Sequence, residues 1–124
     1  MKTEILRIVP NIYSDEIEKS KEFYIDFLEM ELVMDMKWVL TFASNENRSA
    51  QITILRNDKE ESPKNGAIFL SIEVSDVDKL YEKAKLKNID ITYEITNEDW
   101  GVRRFFVKGP NGETINLLAH INNQ

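Results

Sequence analysis

The sequence predicts an α+β fold built from two tandem βαβββ modules. Three observations predict it. Strand-like and helical patterns follow one another in the same order twice; Ser14-Asp15 and Ser75-Asp76 open helical patterns at equivalent places about 60 residues apart; and a stretch with no hydrophobic side chain lies near the midpoint. With 124 residues, 42% of them hydrophobic and 31% charged, the chain has the size of one domain with one core. Module one is expected over about 1–56, a linker over 57–66 and module two over about 67–121.

The first apolar stretch, Ile5 to Tyr13, reads as a strand, and Pro10, which has no N–H to give a ladder, places it at an edge or a bulge. The period then changes. Ile17, Ser20, Tyr24, Phe27 and Leu28 recur every three or four residues, with charged residues between them, as an amphipathic helix requires. Asp15 followed by Glu18 is a capping-box-like start, in which each side chain satisfies an amide of the opposite end of the turn. Glu31 to Met36, Lys37 to Ser44 and Ala50 to Arg56 are rich in β-branched, aromatic and large apolar residues and predict three strands.

The polar run Asn57 to Gly66 is a solvated connection. After it come a strand, Ala67 to Val74, and a helix carrying Val77, Leu80, Tyr81 and Ala84 to about Asn88. Three further strands follow, Asp90 to Ile95, Val102 to Lys108 and Glu113 to Ile121, the last two joined by the turn Gly109-Pro110-Asn111-Gly112.

Composition excludes several functions. Sixteen Lys and Arg against 22 Asp and Glu leave a net charge of −6 with no basic cluster, which argues against a nucleic-acid partner; such a charge draws cationic small molecules toward a cleft, although its commonest meaning is solubility. The absence of Cys removes disulfides, thiol nucleophiles and thiolate metal sites. With His120 as the single histidine, no two-His metal motif exists. The apolar runs are too short to span a membrane, and Met1-Lys2-Thr3-Glu4 opens no secretory signal, so a cytoplasmic protein is expected.

Several segments together resemble the vicinal oxygen chelate superfamily, the group of glyoxalases, bleomycin resistance proteins and extradiol dioxygenases. In the first half they are Val9-Pro10-Asn11-Ile12-Tyr13-Ser14-Asp15, Ser20-Lys21-Glu22-Phe23-Tyr24 and Phe27-Leu28-Glu29-Met30-Glu31-Leu32. In the second they are Ile72-Glu73-Val74-Ser75-Asp76-Val77-Asp78, Trp100-Gly101-Val102-Arg103-Arg104-Phe105 and Gly109-Pro110-Asn111-Gly112. The resemblance implies that the two modules form a curved-sheet cleft, most often completed by a second copy, so a homodimer is expected.

Metal-dependent members place His, Glu or Gln at four converging positions. By the resemblance these positions hold Val9, Gln51 or Thr53, Phe69, and Asn116 in this chain. No His, Asp or Glu lies in Leu6 to Asn11 or Ala67 to Ser71, so a shift of register does not supply one. No metal or other cofactor is therefore expected, and the reading falls on the metal-free, bleomycin-resistance-like branch, whose members sequester a ligand. Asp99 stands before Trp100-Gly101 where those proteins often have Pro, so the ligand's identity does not follow from the resemblance.

The expected ligand is a small organic molecule, cationic or aromatic. Strand alternation sets Asn11 beside Val9, and Glu73 beside Ser71 and Phe69, on the cleft side, where both polar groups orient a ligand. Glu73 also fits an exposed edge or an ion pair with Arg103 or Arg104. Trp38, Phe42 and Trp100 offer stacking surfaces, although aromatics in short strands more often belong to a core or a dimer interface, and Trp100, in a polar turn, is the strongest of the three. Of Arg103 and Arg104 one faces the cleft, and the Trp-Gly-Xaa-Arg-Xaa-Phe pattern favours Arg103 as the clamp for an acidic group. His120 reads as a packed or exposed strand residue. The alternative function is a glyoxalase- or lyase-type enzyme with an unrecognised metal site or with Glu73 as general base.

Overall fold

A computed structural model describes residues 3–56 and 68–121. The expected linker at 57–66 and the first residue of the next strand lie outside the described residues. The chain divides into two compact units, Met1–Asn65 and Gly66–Gln124.

The first unit contains strands β1 (Asn11–Ser14), β2 (Glu31–Asp35), β3 (Val39–Ala43) and β4 (Gln51–Arg56) in one sheet ordered β1-β4-β3-β2. β1 runs parallel to β4, while β3 is antiparallel to both of its neighbours. Because residues opposite each other share a face, the register Ile12↔Ile54↔Leu40 and Ile52↔Phe42 puts these five residues on one side, where all are buried. Helix α1 (Lys19–Lys21) and a π-helical segment (Glu22–Phe27) supply the matching apolar surface. Tyr24 stacks on Phe42 with ring centroids 5.2 Å apart, and Phe23 and Phe27 pack beside them.

Three details of this unit differ from the sequence reading. The regular ladder starts at Asn11, because Pro10 cannot donate; its carbonyl instead accepts from the Thr53 amide, and Ile8 makes only an isolated bridge to Ala50. The helical segment widens to π geometry, with the Leu28 amide bonded to the Phe23 carbonyl, which brings Phe23, Tyr24 and Phe27 together on the buried side. The regular α-helix starts only at Lys19, with Glu18 rather than Asp15 at the N-cap position. In the turn before it Ser14 Oγ accepts from the Glu16 amide at 3.2 Å.

The second unit repeats the plan. Strands β5 (Phe69–Glu73), β6 (Asp90–Asn97), β7 (Val102–Lys108) and β8 (Thr114–His120) form a sheet ordered β5-β8-β7-β6, again with one parallel pair, β5 with β8. Helix α2 (Val77–Leu86) covers one face, and Asp76 caps it as its sequence position suggests, accepting from the Lys79 amide at 3.0 Å. Val77 and Ala84 of the helix meet a core of Phe105, Val107, Ile115 and Leu117, and Tyr81 stands edge-on to Phe105 at 4.9 Å. Two four-stranded mixed sheets, each with a helical segment, are the α+β arrangement of two tandem modules that the repeat predicts.

Candidate functional site

Each sheet has one face turned to its helical segment and one open face, and alternation decides what the open faces carry. In the first unit Asn11, Thr53 and Thr41 lie side by side across three strands, with Gln51 opposite Ala43 on the same face. The hydroxyls of Thr41 and Thr53 are 2.9 Å apart and hydrogen-bonded, and Gln51 Oε1 accepts from the Arg7 guanidinium. The β2 register slips between Leu32 and Met34, which breaks the alternation there, and the exposed side chains of Val33 and Met34 both border this face. A concavity of about 460 Å³ is lined by these two residues with Arg7, Val9, Asn11, Thr41, Gln51 and Thr53. That volume falls in the range of small-molecule sites.

In the second unit the open face carries Phe69, Ser71 and Glu73 from β5, Asn116, Leu118 and His120 from β8, and Arg104 and Phe106 from β7. The centre of this face is Arg104. Its guanidinium carbon lies 4.7 Å from the Phe106 ring centre, 5.0 Å from Trp100 and 5.5 Å from Tyr93. Its Nε donates to Glu98 Oε2 at 2.7 Å, and the Tyr93 hydroxyl donates to the same oxygen at 2.8 Å. Gly101, at φ +93°, closes the turn that puts Glu98 and Trp100 beside the guanidinium; L side chains avoid that backbone conformation.

The Arg104 guanidinium, and after it the Tyr93 hydroxyl, hold the Glu98 carboxyl below its ordinary pKa. A depressed folded-state pKa contributes stability that is present above the unfolded value and lost as pH falls through the folded one. Wild-type protein is therefore expected to lose melting temperature more steeply than Glu98→Gln as pH drops below about 4.3, the usual glutamate value. Parallel slopes in a melting series across that range would contradict the assignment.

The six residues picked from sequence do not all meet. Asn11 lines the first concavity. Trp38 is 48% exposed in the turn between β2 and β3, outside that lining. Phe42 is a correction: it is fully buried against Tyr24 and has no face left for a ligand. Arg103 is a second correction. It lies opposite Ala119 on the helix side, where its guanidinium binds the Asp78 carboxylate of α2 at 2.9 Å and the Asn97 side chain, so Arg104 is the arginine of the open face. Glu73 is exposed and its carboxylate meets His120 Nδ1 at 2.8 Å, a partner different from the arginines considered for it. Trp100 is 64% exposed beside Arg104. The sequence reading passed over Tyr93, Glu98 and Phe106, and weighed Arg104 only as the less favoured arginine. For Arg104 and Phe106 the signal is the parity of β7, where apolar Phe105 and Val107 mark the buried side and so turn these two outward.

At the positions the resemblance marks for metal ligands, Val9 and Phe69 have no donor atom, Gln51 Oε1 and the Thr53 hydroxyl already have partners, and Asn116 offers a neutral amide. Divalent transition-metal sites are built mainly on imidazole nitrogen, thiolate sulfur and carboxylate oxygen, and two hydrocarbon side chains with neutral oxygens that are already engaged or uncharged do not make such a set. Among the described residues no three His, Asp or Glu side chains converge elsewhere. No described helix is long and apolar enough to cross a membrane.

Two tandem modules of this topology, each with an open sheet face, define the fold class of the glyoxalase-like proteins. The chain belongs to the Glyoxalase/Bleomycin resistance protein/Dioxygenase superfamily, whose family model matches residues 5–117. No curated protein matches the sequence. Among solved structures the chain is similar to a superfamily member from Sphaerobacter thermophilus at 20% identity and a TM-score of 0.80, covering 94% of this chain and 98% of that one. A glyoxalase/bleomycin resistance protein/dioxygenase from Nocardioides is similar at 18% identity and a TM-score of 0.76, covering 100% and 89%. TioX from Micromonospora sp. ML1 is similar at 13% identity and a TM-score of 0.77, covering 93% and 98%. At these identities the likeness is one of fold.

Proposed function

We propose that this protein binds a small organic molecule without a metal, on the open faces of its sheets, and serves to sequester a drug or metabolite in the cytoplasm. The observation that carries the reading is the concavity of about 460 Å³ on the first sheet, whose walls combine apolar Val9, Val33 and Met34 with the hydrogen-bonding groups of Asn11, Thr41 and Gln51. Such mixed walls, apolar for contact and polar for orientation, are what small-molecule sites use. The four positions where relatives carry metal ligands support the metal-independent part, since two of them are hydrocarbon.

A ligand that binds only the folded chain raises its stability by RT ln(1 + [L]/Kd), about 2.7 kcal/mol at a hundredfold excess over Kd. In a melting screen of varied small organic molecules, at least one chemical class is expected to raise the midpoint saturably, and Asn11→Leu to weaken that response. A screen in which no compound gives a saturable shift would refute the reading.

A further inference from the structure

Two groups on the open face of the second sheet are left with unused hydrogen-bonding capacity. Arg104 engages Glu98 through Nε alone, and its two terminal nitrogens have no partner among the described residues. Asn116 lies directly opposite Phe106 in the ladder and is only 6% exposed. Its Nδ2 donates to Ser71 Oγ at 3.1 Å, and its Oδ1 has no partner among the described residues. Buried amide oxygens are rarely left unpaired in native proteins; this one is itself enclosed, so a donor on the open face meets it once the Asn116 side chain turns toward that face. Between these two groups lies aromatic surface: Phe106, with Phe69 5.2 Å from it and 54% exposed.

The three features set the chemistry of what fits. The free side of a guanidinium is a planar two-donor fork, matched by a carboxylate. The nearby ring faces already hold the Arg104 cation, which repels a second cation. The exposed rings favour a planar ligand that can stack. Asn116 Oδ1 requires a hydroxyl or N–H.

We infer that this face takes an aromatic carboxylate bearing a hydrogen-bond donor: the carboxylate on the Arg104 terminal nitrogens, the ring against Phe69 and Phe106, and the donor on Asn116 Oδ1. The inference rests on the small-molecule reading above and narrows it to an anionic class, in place of the cationic one that net charge alone favours.

Calorimetric titration of the full chain with 4-hydroxybenzoate, benzoate and 4-hydroxybenzylamine tests it. 4-Hydroxybenzoate is expected to bind saturably, about tenfold more tightly than benzoate, the value of one well-placed hydrogen bond. The amine is expected to bind more weakly than either acid. Arg104→Lys, which keeps the charge and loses the fork, is expected to weaken both acids about tenfold or more. Asn116→Leu is expected to erase the preference for the hydroxylated acid while benzoate still binds. The comparison of the three compounds on wild-type protein stands even if a variant fails to fold. Equal binding of acid and amine, a preference for the amine, or a hydroxyl preference that survives in Asn116→Leu would each overturn the inference. If none of the three probes binds, the inference also fails, while the broader reading is decided separately by the melting screen.

Discussion

Truncation of Phe42 to alanine is expected to destabilise the protein by about 3–5 kcal/mol, the usual cost of deleting a buried phenyl ring. The ring is fully buried on the helix side of the first sheet, where it stacks on Tyr24 and pairs across the ladder with Ile52. Its removal takes away both the burial and the platform on which the π-helical segment rests. The control is Phe69→Ala, another strand phenylalanine that is 54% exposed and is expected to cost less than about 1 kcal/mol. Denaturant titration of the two variants checks this, and similar losses for both would contradict the assignment of Phe42 to the core.

The second large effect is expected at the β7–β8 turn. A Cβ added at Gly109 would meet the carboxyl group of Glu113, with Oε1 at 2.6 Å and Oε2 at 2.8 Å. Glu113 cannot swing aside cheaply, because it is fully buried and its carboxylate accepts from the Asn111 amide at 2.7 Å. Gly109→Ala is therefore expected to cost about 2–3 kcal/mol through crowding and a weakened hydrogen bond. If the collision with Glu113 is the cause, the double variant Gly109→Ala/Glu113→Ala will lose less than the two single losses combined. Strict additivity in a double-mutant cycle would show that the glycine acts by another route.

These two sites mark how far the sequence could be read. Element order and the repeat were legible because the apolar periods switch cleanly between strand and helix, and β7 begins and ends at the residues predicted for it, Val102 and Lys108. The turn Gly109 to Gly112 was also legible, but not its buried acid, since no local pattern distinguishes Glu113 from a surface glutamate. The π-helical segment was not legible, because Tyr24, Phe27 and Leu28 satisfy an α-helical spacing equally well and only packing selects the wider turn. Asn11 and Glu73 were placed by alternation on the faces they occupy. For Phe42 and Arg103, aromatic character and a family pattern point to a ligand, while strand parity points to the helix side. Thr41 and Thr53 share a face with Asn11, which turns Phe42 inward, and Phe105 and Val107 being core turns Arg103 toward the helix. The pairing of Glu73 with His120 spans 47 residues and needs the parallel β5–β8 register to be seen.

Ligand binding without a metal is tested by a melting titration of chelator-treated protein with Zn²⁺, Ni²⁺, Mn²⁺ and Fe²⁺, followed by the most effective organic ligand in the presence of excess chelator. No saturable shift is expected with any of the four ions, and the organic-ligand shift is expected to be unchanged by chelator. A saturable one-to-one shift with one ion, or an organic-ligand shift that disappears with chelator and returns with that ion, would contradict binding without a metal.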